Sequence, residues 1–152
     1  MNDETLNGPT MEDHRKAFTE VAFLIDIFAS TIDNIMGGAT ASVGRIAGRE
    51  TAKKYPIFLT NPSLPEAVEV ICGRMRSGFA IALETDGNDS SMVFNRCIVR
   101  DICKMRGIKT GNAVCKLFHA YFDGVVNELI SRPVKSEITE LGDQCRTTIK
   151  IQ

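Results

Sequence analysis

The spacing of the apolar residues switches from helical to alternating at Phe79, and this switch constrains the fold more than any other feature of the chain. Before it, Phe18, Val21, Ala22, Ile25, Phe28, Ala29, Ile32 and Ile35 recur with helical period and predict one long amphipathic helix from Met11 to Met36. Gly37-Gly38 ends that helix. A second helix is expected over about 39–54, where Gly44 and Gly48 make a smooth face for close packing against another helix. Pro56, Pro62 and Pro65 bracket a loop, and Ser63 is placed to cap a third helix running to about Ser77.

After the switch, Phe79, Ile81 and Leu83 alternate with Ala80, Ala82 and Glu84. Asp86-Gly87-Asn88-Asp89 is turn chemistry, and a second strand is predicted from Ser91 to Cys103. Lys104 to Lys109 then reads as a basic loop. Thr110 or Asn112 would cap a helix over Ala113 to Ile130, closed by Arg132-Pro133. Val134 to Glu140 and Arg146 to Ile151 read as two last strands about a turn at Gly142-Asp143. The order of N-terminal helices, antiparallel hairpin, long helix and C-terminal hairpin predicts an α+β domain with a mainly antiparallel sheet. Residues 1–10 are expected to be a flexible arm and residues 11–152 a single domain.

Charge and composition narrow the function. Eighteen basic and nineteen acidic residues leave a net charge of −1, which gives no overall reason to expect nucleic acid or an anionic membrane as partner. There is no Trp and there are two Tyr, too few for stacking platforms. No run of apolar residues is long enough to span a membrane. The start of the chain, Met1 to Glu12, lacks the basic residues and apolar run of a signal peptide, so a cytoplasmic protein with reduced thiols is expected.

Cysteine carries the sharpest chemical signal. Cys97, Cys103, Cys115 and Cys145 fall in the last two-fifths of the chain, around His119. On one strand Cys97 and Cys103 share a face; on a helix Cys115 and His119 do. Three of these thiolates with His119, or all four, would suit zinc, and four would suit an iron–sulfur cluster. The plainer reading is that the thiols are small buried hydrophobes, since neither CxxC nor HExxH is present. His119 taken alone is more often a partly exposed or hydrogen-bonded histidine than a ligand. Phe18, Phe28, Phe79, Phe118 and Phe122 are candidates to line an apolar pocket, and each equally fits an ordinary core. No catalytic triad or Cys-His pair sits in a recognisable context.

Two stretches carry a family resemblance. One runs from Gly37-Gly38-Ala39 through Gly44-Arg45-Ile46-Ala47-Gly48-Arg49. The other passes Ala113-Val114-Cys115 and Phe122-Asp123-Gly124 to Gly142-Asp143-Gln144-Cys145-Arg146. Together they resemble the 4-vinyl reductase domain family over about residues 15 to 152. The resemblance implies a binding domain for a small hydrocarbon-like or tetrapyrrole-related molecule. It also implies a fold shared with haem-NO-binding domains and TRAPP subunits, and a homodimer. Cys115 and Cys145 match the family's suggested metal ligands, and Glu137 its usual acidic residue. The family's further cysteine has no counterpart in Glu137-Ile138-Thr139-Glu140, and the turn before Cys145 is one residue short, so Cys97 or Cys103 would have to substitute. The leading expectation is a small-ligand-binding protein with a cysteine-held metal. The alternative is a zinc or iron–sulfur redox protein or enzyme acting on such a ligand, and a third reading is a scaffold.

Overall fold

The computed structural model describes residues 8–55 and 59–152. Three helices come first: α1 (Met11–Met36), α2 (Thr40–Lys54) and α3 (Leu64–Met75). The hairpin β1 (Phe79–Asp86) and β2 (Asp89–Cys97) leads into α4 (Ile98–Arg106) and α5 (Ala113–Ile130), and β3 (Val134–Glu140) with β4 (Cys145–Ile151) completes the chain. The architecture is α+β, as expected. Most of the expected flexible arm, residues 1–7, lies outside the described residues, as do residues 56–58 of the proline-bracketed loop.

Local chemistry sets the element ends. Thr10 opens α1 with a capping box: its hydroxyl accepts from Asp13 N, and the Asp13 carboxylate accepts from Thr10 N. Ser63 and Glu66 do the same for α3. Asn112, rather than Thr110, caps α5 through Val114 N. Gly37, at φ 48°, takes the left-handed conformation that stops α1.

The sheet order is β1-β2-β4-β3, with every neighbouring pair antiparallel. The register slips between Ala80 and Ile81, so Asn95 of β2 is an extra, bulged residue. Helix α5 packs on β3 and is covered on its other side by α2. The α2–α5 crossing is close because glycines stand at it. A Cβ on Gly44 would fall 2.9 Å from Ala120 Cβ; one on Gly48 would fall 2.9 Å from Val125 N and overlap the Tyr121 carbonyl oxygen. From the opposite side, a Cβ on Gly124 would overlap the Arg45 carbonyl.

One expectation is corrected. The second strand ends at Cys97, not Cys103, and residues 98–106 form α4 rather than strand followed by basic loop. Ile98 N donates to Gly78 O at 2.9 Å, a last ladder bond beside β1 before the chain turns into α4. Val99, Ile102 and Cys103 then bury one helical face. Gly107, at φ 65°, ends the helix, and Ile108 N closes back on Cys103 O at 3.0 Å. Cys97 and Cys103 therefore do not share a strand face. Cys97 precedes α4, and Cys103 lies at its far end.

Candidate functional site

A small, largely enclosed space lies among the described residues of the core, walled by α4, α5 and the sheet. Phe79 of β1, Phe94 of β2, and Phe118 and Phe122 of α5 supply its aromatic surface. Cys97, Val99, Arg100, Thr110, Cys115, His119 and Cys145 complete it. The rings meet mostly edge to face: Phe79–Phe122 at 5.1 Å between centroids and Phe94–His119 at 4.9 Å. Only ≈ 10 Å³ is open to a water's centre, which is room for about one water.

Its polar groups are unusual. Among the described residues three buried side-chain polar atoms have no hydrogen-bond partner, and two of them, His119 Nδ1 and Arg100 Nε, belong to residues of this wall. Buried polar groups are normally paired, so two orphans at one cavity mark a place for a missing partner. Arg100 is 7% exposed. Its Nη1 donates to Asp143 O, and its Nη2 donates to Phe94 O at 2.9 Å and to Cys145 Sγ at 3.4 Å.

The predicted ligand and pocket residues divide. Phe79, Phe118 and Phe122 meet at this cavity. Phe18 and Phe28 are not part of its wall, and Phe28 is 65% exposed because α1 turns Ala22 and Ala29 inward instead. Cys97, Cys115, Cys145 and His119 all reach the wall, and Cys103 lies behind it with its sulfur 3.8 Å from that of Cys115. Among the described residues no three His, Cys, Asp or Glu side chains converge as a metal-ligand set. The guanidinium of Arg100 between Cys145 and the Phe94 carbonyl also opposes a cation at that end. Cys97, Cys115, Cys145 and His119 thus share one wall without three of them converging on a point. Burial, reinforced by the Cys103 thiol, pushes the Cys115 thiol up to about 12.

The chain matches no family model and no curated protein. Among solved structures, the chain is similar in fold to the crystal structure of the phenol-responsive sensory domain of the transcription activator PoxR with phenol. The fold is shared with a sensory domain. The TM-score is 0.54 at 17% sequence identity, over 86% of this chain and 73% of that one. At this identity the likeness bears on the fold alone, and no match assigns the chain to the 4-vinyl reductase family. No helix of the described residues is long and apolar enough to cross a membrane.

Sequence reading missed Arg100, Phe94, Val99 and Thr110 at this site. The signal for Arg100 was present in the helical spacing of Val99, Ile102 and Cys103, which puts residue 100 beside a buried stripe.

His119 gives the site a pH signature. Burial, and then the charge of Arg100, lower its pKa from the ordinary 6.5 to about 4. The native state thus holds it neutral while the unfolded chain protonates near pH 6.5. Its contribution to stability is complete above that pH and is lost as pH falls from 6.5 towards 4, by about 3 kcal/mol at most. Denaturant melts at pH 7 and pH 4.5 should show the wild type losing more stability than His119→Phe.

Proposed function

We propose that this domain binds a small aromatic molecule carrying one hydrogen-bonding group, held among Phe79, Phe94, Phe118 and Phe122. The observation that carries this reading is the buried, unpartnered Nδ1 of the half-buried His119 at an aromatic wall. Small-ligand sites combine an apolar lining with a few placed polar groups, and this wall has that composition. The shared fold with a domain described as phenol-responsive supports the reading. A tetrapyrrole is disfavoured, because room for about one water would have to expand through the whole core.

Even a monocyclic ligand must displace side chains. The partly exposed members of the wall, Cys97, Thr110, Phe118 and His119, are the ones free to move. Thr110 lies in the α4–α5 loop beside Gly111, against which Leu141 of the β3–β4 turn packs. Binding would therefore require these two loops to part and close again. Thermal shift and calorimetric titration with a panel of monocyclic aromatics test the proposal. At least one member should raise the melting temperature, and His119→Phe should weaken it roughly tenfold or more, the effect of losing one hydrogen bond and the space around it. A panel with no binder overturns the reading.

A homodimer through α1 belongs to the same proposal. Val21, Phe23, Leu24, Ile27, Phe28, Ile35 and Met36 are all large, apolar and exposed along this one helix. Side chains of this number and exposure present on the order of 600 Å² per protomer, close to the roughly 800 Å² per partner of a stable complex. A second copy offers the same patch across a two-fold axis, so the contact is self-complementary. Sedimentation should give a dimer for the wild type and a monomer for Phe28→Asp with Ile35→Asp. A wild-type monomer contradicts this part.

A thiol-held metal is a second reading, favoured by one observation. The Cys103 and Cys115 sulfurs stand 3.8 Å apart, about the separation of two thiolates on one zinc with bonds of roughly 2.3 Å. Elemental analysis of protein purified without chelators tests it. One zinc per chain that is lost in Cys103→Ser would support it, and a metal-free protein would end it.

A further inference from the structure

Arg100 is a buried cation with no buried anion to match it. Its exposure is 7%, and among the described residues no carboxylate lies within salt-bridge distance. Two backbone carbonyls and a thiol sulfur receive its Nη groups, and its Nε receives nothing. Arginine keeps its charge in proteins, so it cannot escape the cost of burial by losing a proton. Buried charges are ordinarily paired, and an unpaired one is strongly destabilising. Neutral dipoles compensate only part of that cost.

The placement of this charge is informative. Arg100 helps to wall the same cavity as His119, whose Nδ1 is also without a partner. The charge of Arg100 is felt at the imidazole, where it adds to burial in disfavouring the protonated form. A neutral imidazole in the tautomer with hydrogen on Nδ1 is a donor. With the hydrogen on Nδ1, the cavity wall would hold one positive charge with a free N–H and a second N–H donor, beside aromatic rings, three thiols and the Thr110 hydroxyl.

We infer that the ligand is a small aromatic carboxylate, its carboxylate meeting Arg100 Nε and His119 Nδ1 and its ring lying among Phe79, Phe94 and Phe122. This inference rests on the binding function proposed above and names its ligand class. One carboxylate carries the single negative charge that Arg100 lacks. Its oxygens are acceptors only, which matches two free donors, and an arginine fork suits carboxylate geometry. A phenol offers one hydroxyl to the same two donors and leaves the charge unmatched. The anchor also has a mechanical consequence. Arg100 already holds Asp143 O in the β3–β4 turn, so a ligand that draws on the guanidinium acts on that turn and on the Leu141–Gly111 contact beside it.

The test compares probes of nearly the same shape and different charge on the wild-type protein. Benzoate, benzamide and phenol are titrated calorimetrically at pH 7. Benzoate should bind at least about tenfold more tightly than either neutral probe, the effect of a charge-assisted over a neutral hydrogen bond. Arg100→Gln should erase that preference, and Arg100→Lys should keep part of it. If phenol or benzamide binds as tightly as benzoate, the carboxylate inference falls and the aromatic-binding function stands. If no probe binds, both fall. Should Arg100→Gln fail to fold, the wild-type ratio alone decides.

Discussion

Replacing Gly48 by alanine is expected to lower stability by about 3 kcal/mol or more, and Gly124→Ala should do the same. The effect is large because the obstacle is backbone. The new methyl on residue 48 would overlap the Tyr121 carbonyl oxygen and stand 2.9 Å from Val125 N; that on residue 124 would overlap the Arg45 carbonyl. Neither helix can give way by a rotamer change. Axes must separate, and α5 would then leave its place on the sheet and carry Phe118, His119 and Phe122 with it. Chemical denaturation reads the stability, with a fall in melting temperature of roughly 10 °C for a domain of this size. Gly73→Ala is the control. A Cβ there meets nothing within 4 Å, and the change should be neutral or slightly stabilising in a helix. Equal effects at Gly48 and Gly73 would contradict the packing account.

Phe122→Ala should cost about 3–5 kcal/mol, the range for removing a fully buried aromatic side chain. Phe122 is 1% exposed and its ring meets Phe79, Phe94 and Tyr121 at 5.1, 5.3 and 5.9 Å. The deletion opens space beside the existing cavity, where benzoate or phenol would restore lost contacts. A ligand that binds the native state alone raises stability according to its affinity. Each compound should therefore raise the melting temperature of Phe122→Ala by more than that of the wild type. The variant Phe122→Leu should cost less and show a smaller ligand gain. A Phe122→Ala protein as stable as the wild type would remove Phe122 from the core and from the proposed site together.

The two long helices were legible because many residues repeat one spacing and the ends carry their own chemistry: Gly37 after α1, Asn112 before α5. The β1–β2 turn was legible in Gly87 and Asn88. Helix α4 was not. Over nine residues, Ile98 and Ile102 satisfy alternation as well as Val99, Ile102 and Cys103 satisfy a helix, and a short run cannot separate the two periods. That ambiguity hid the position of Arg100. A charged residue on a strand reads as solvent-facing, whereas on α4 it turns towards Phe94 and Cys145.

Three of the four phenylalanines of the aromatic site could be read, and Phe94 could not. Phe79, Phe118 and Phe122 come from separate elements, yet each is apolar on an inward face. Phe28 belongs to a stripe on α1 wider than the side that α1 buries, where Ala22 and Ala29 make the inward contact. Spacing along the chain did not reveal that the Cys103 sulfur meets that of Cys115 while Cys145 faces Arg100.

The central claim is that the space among Phe79, Phe94, Phe122 and His119 receives an aromatic ligand. The most direct measurement is of intermolecular nuclear Overhauser effects between the ring protons of bound benzoate or phenol and the assigned protein. The account predicts contacts to the rings of Phe79, Phe94 and Phe122 and to the imidazole of His119. Contacts confined to the outer face of α1, at Phe23 and Leu24, would contradict it.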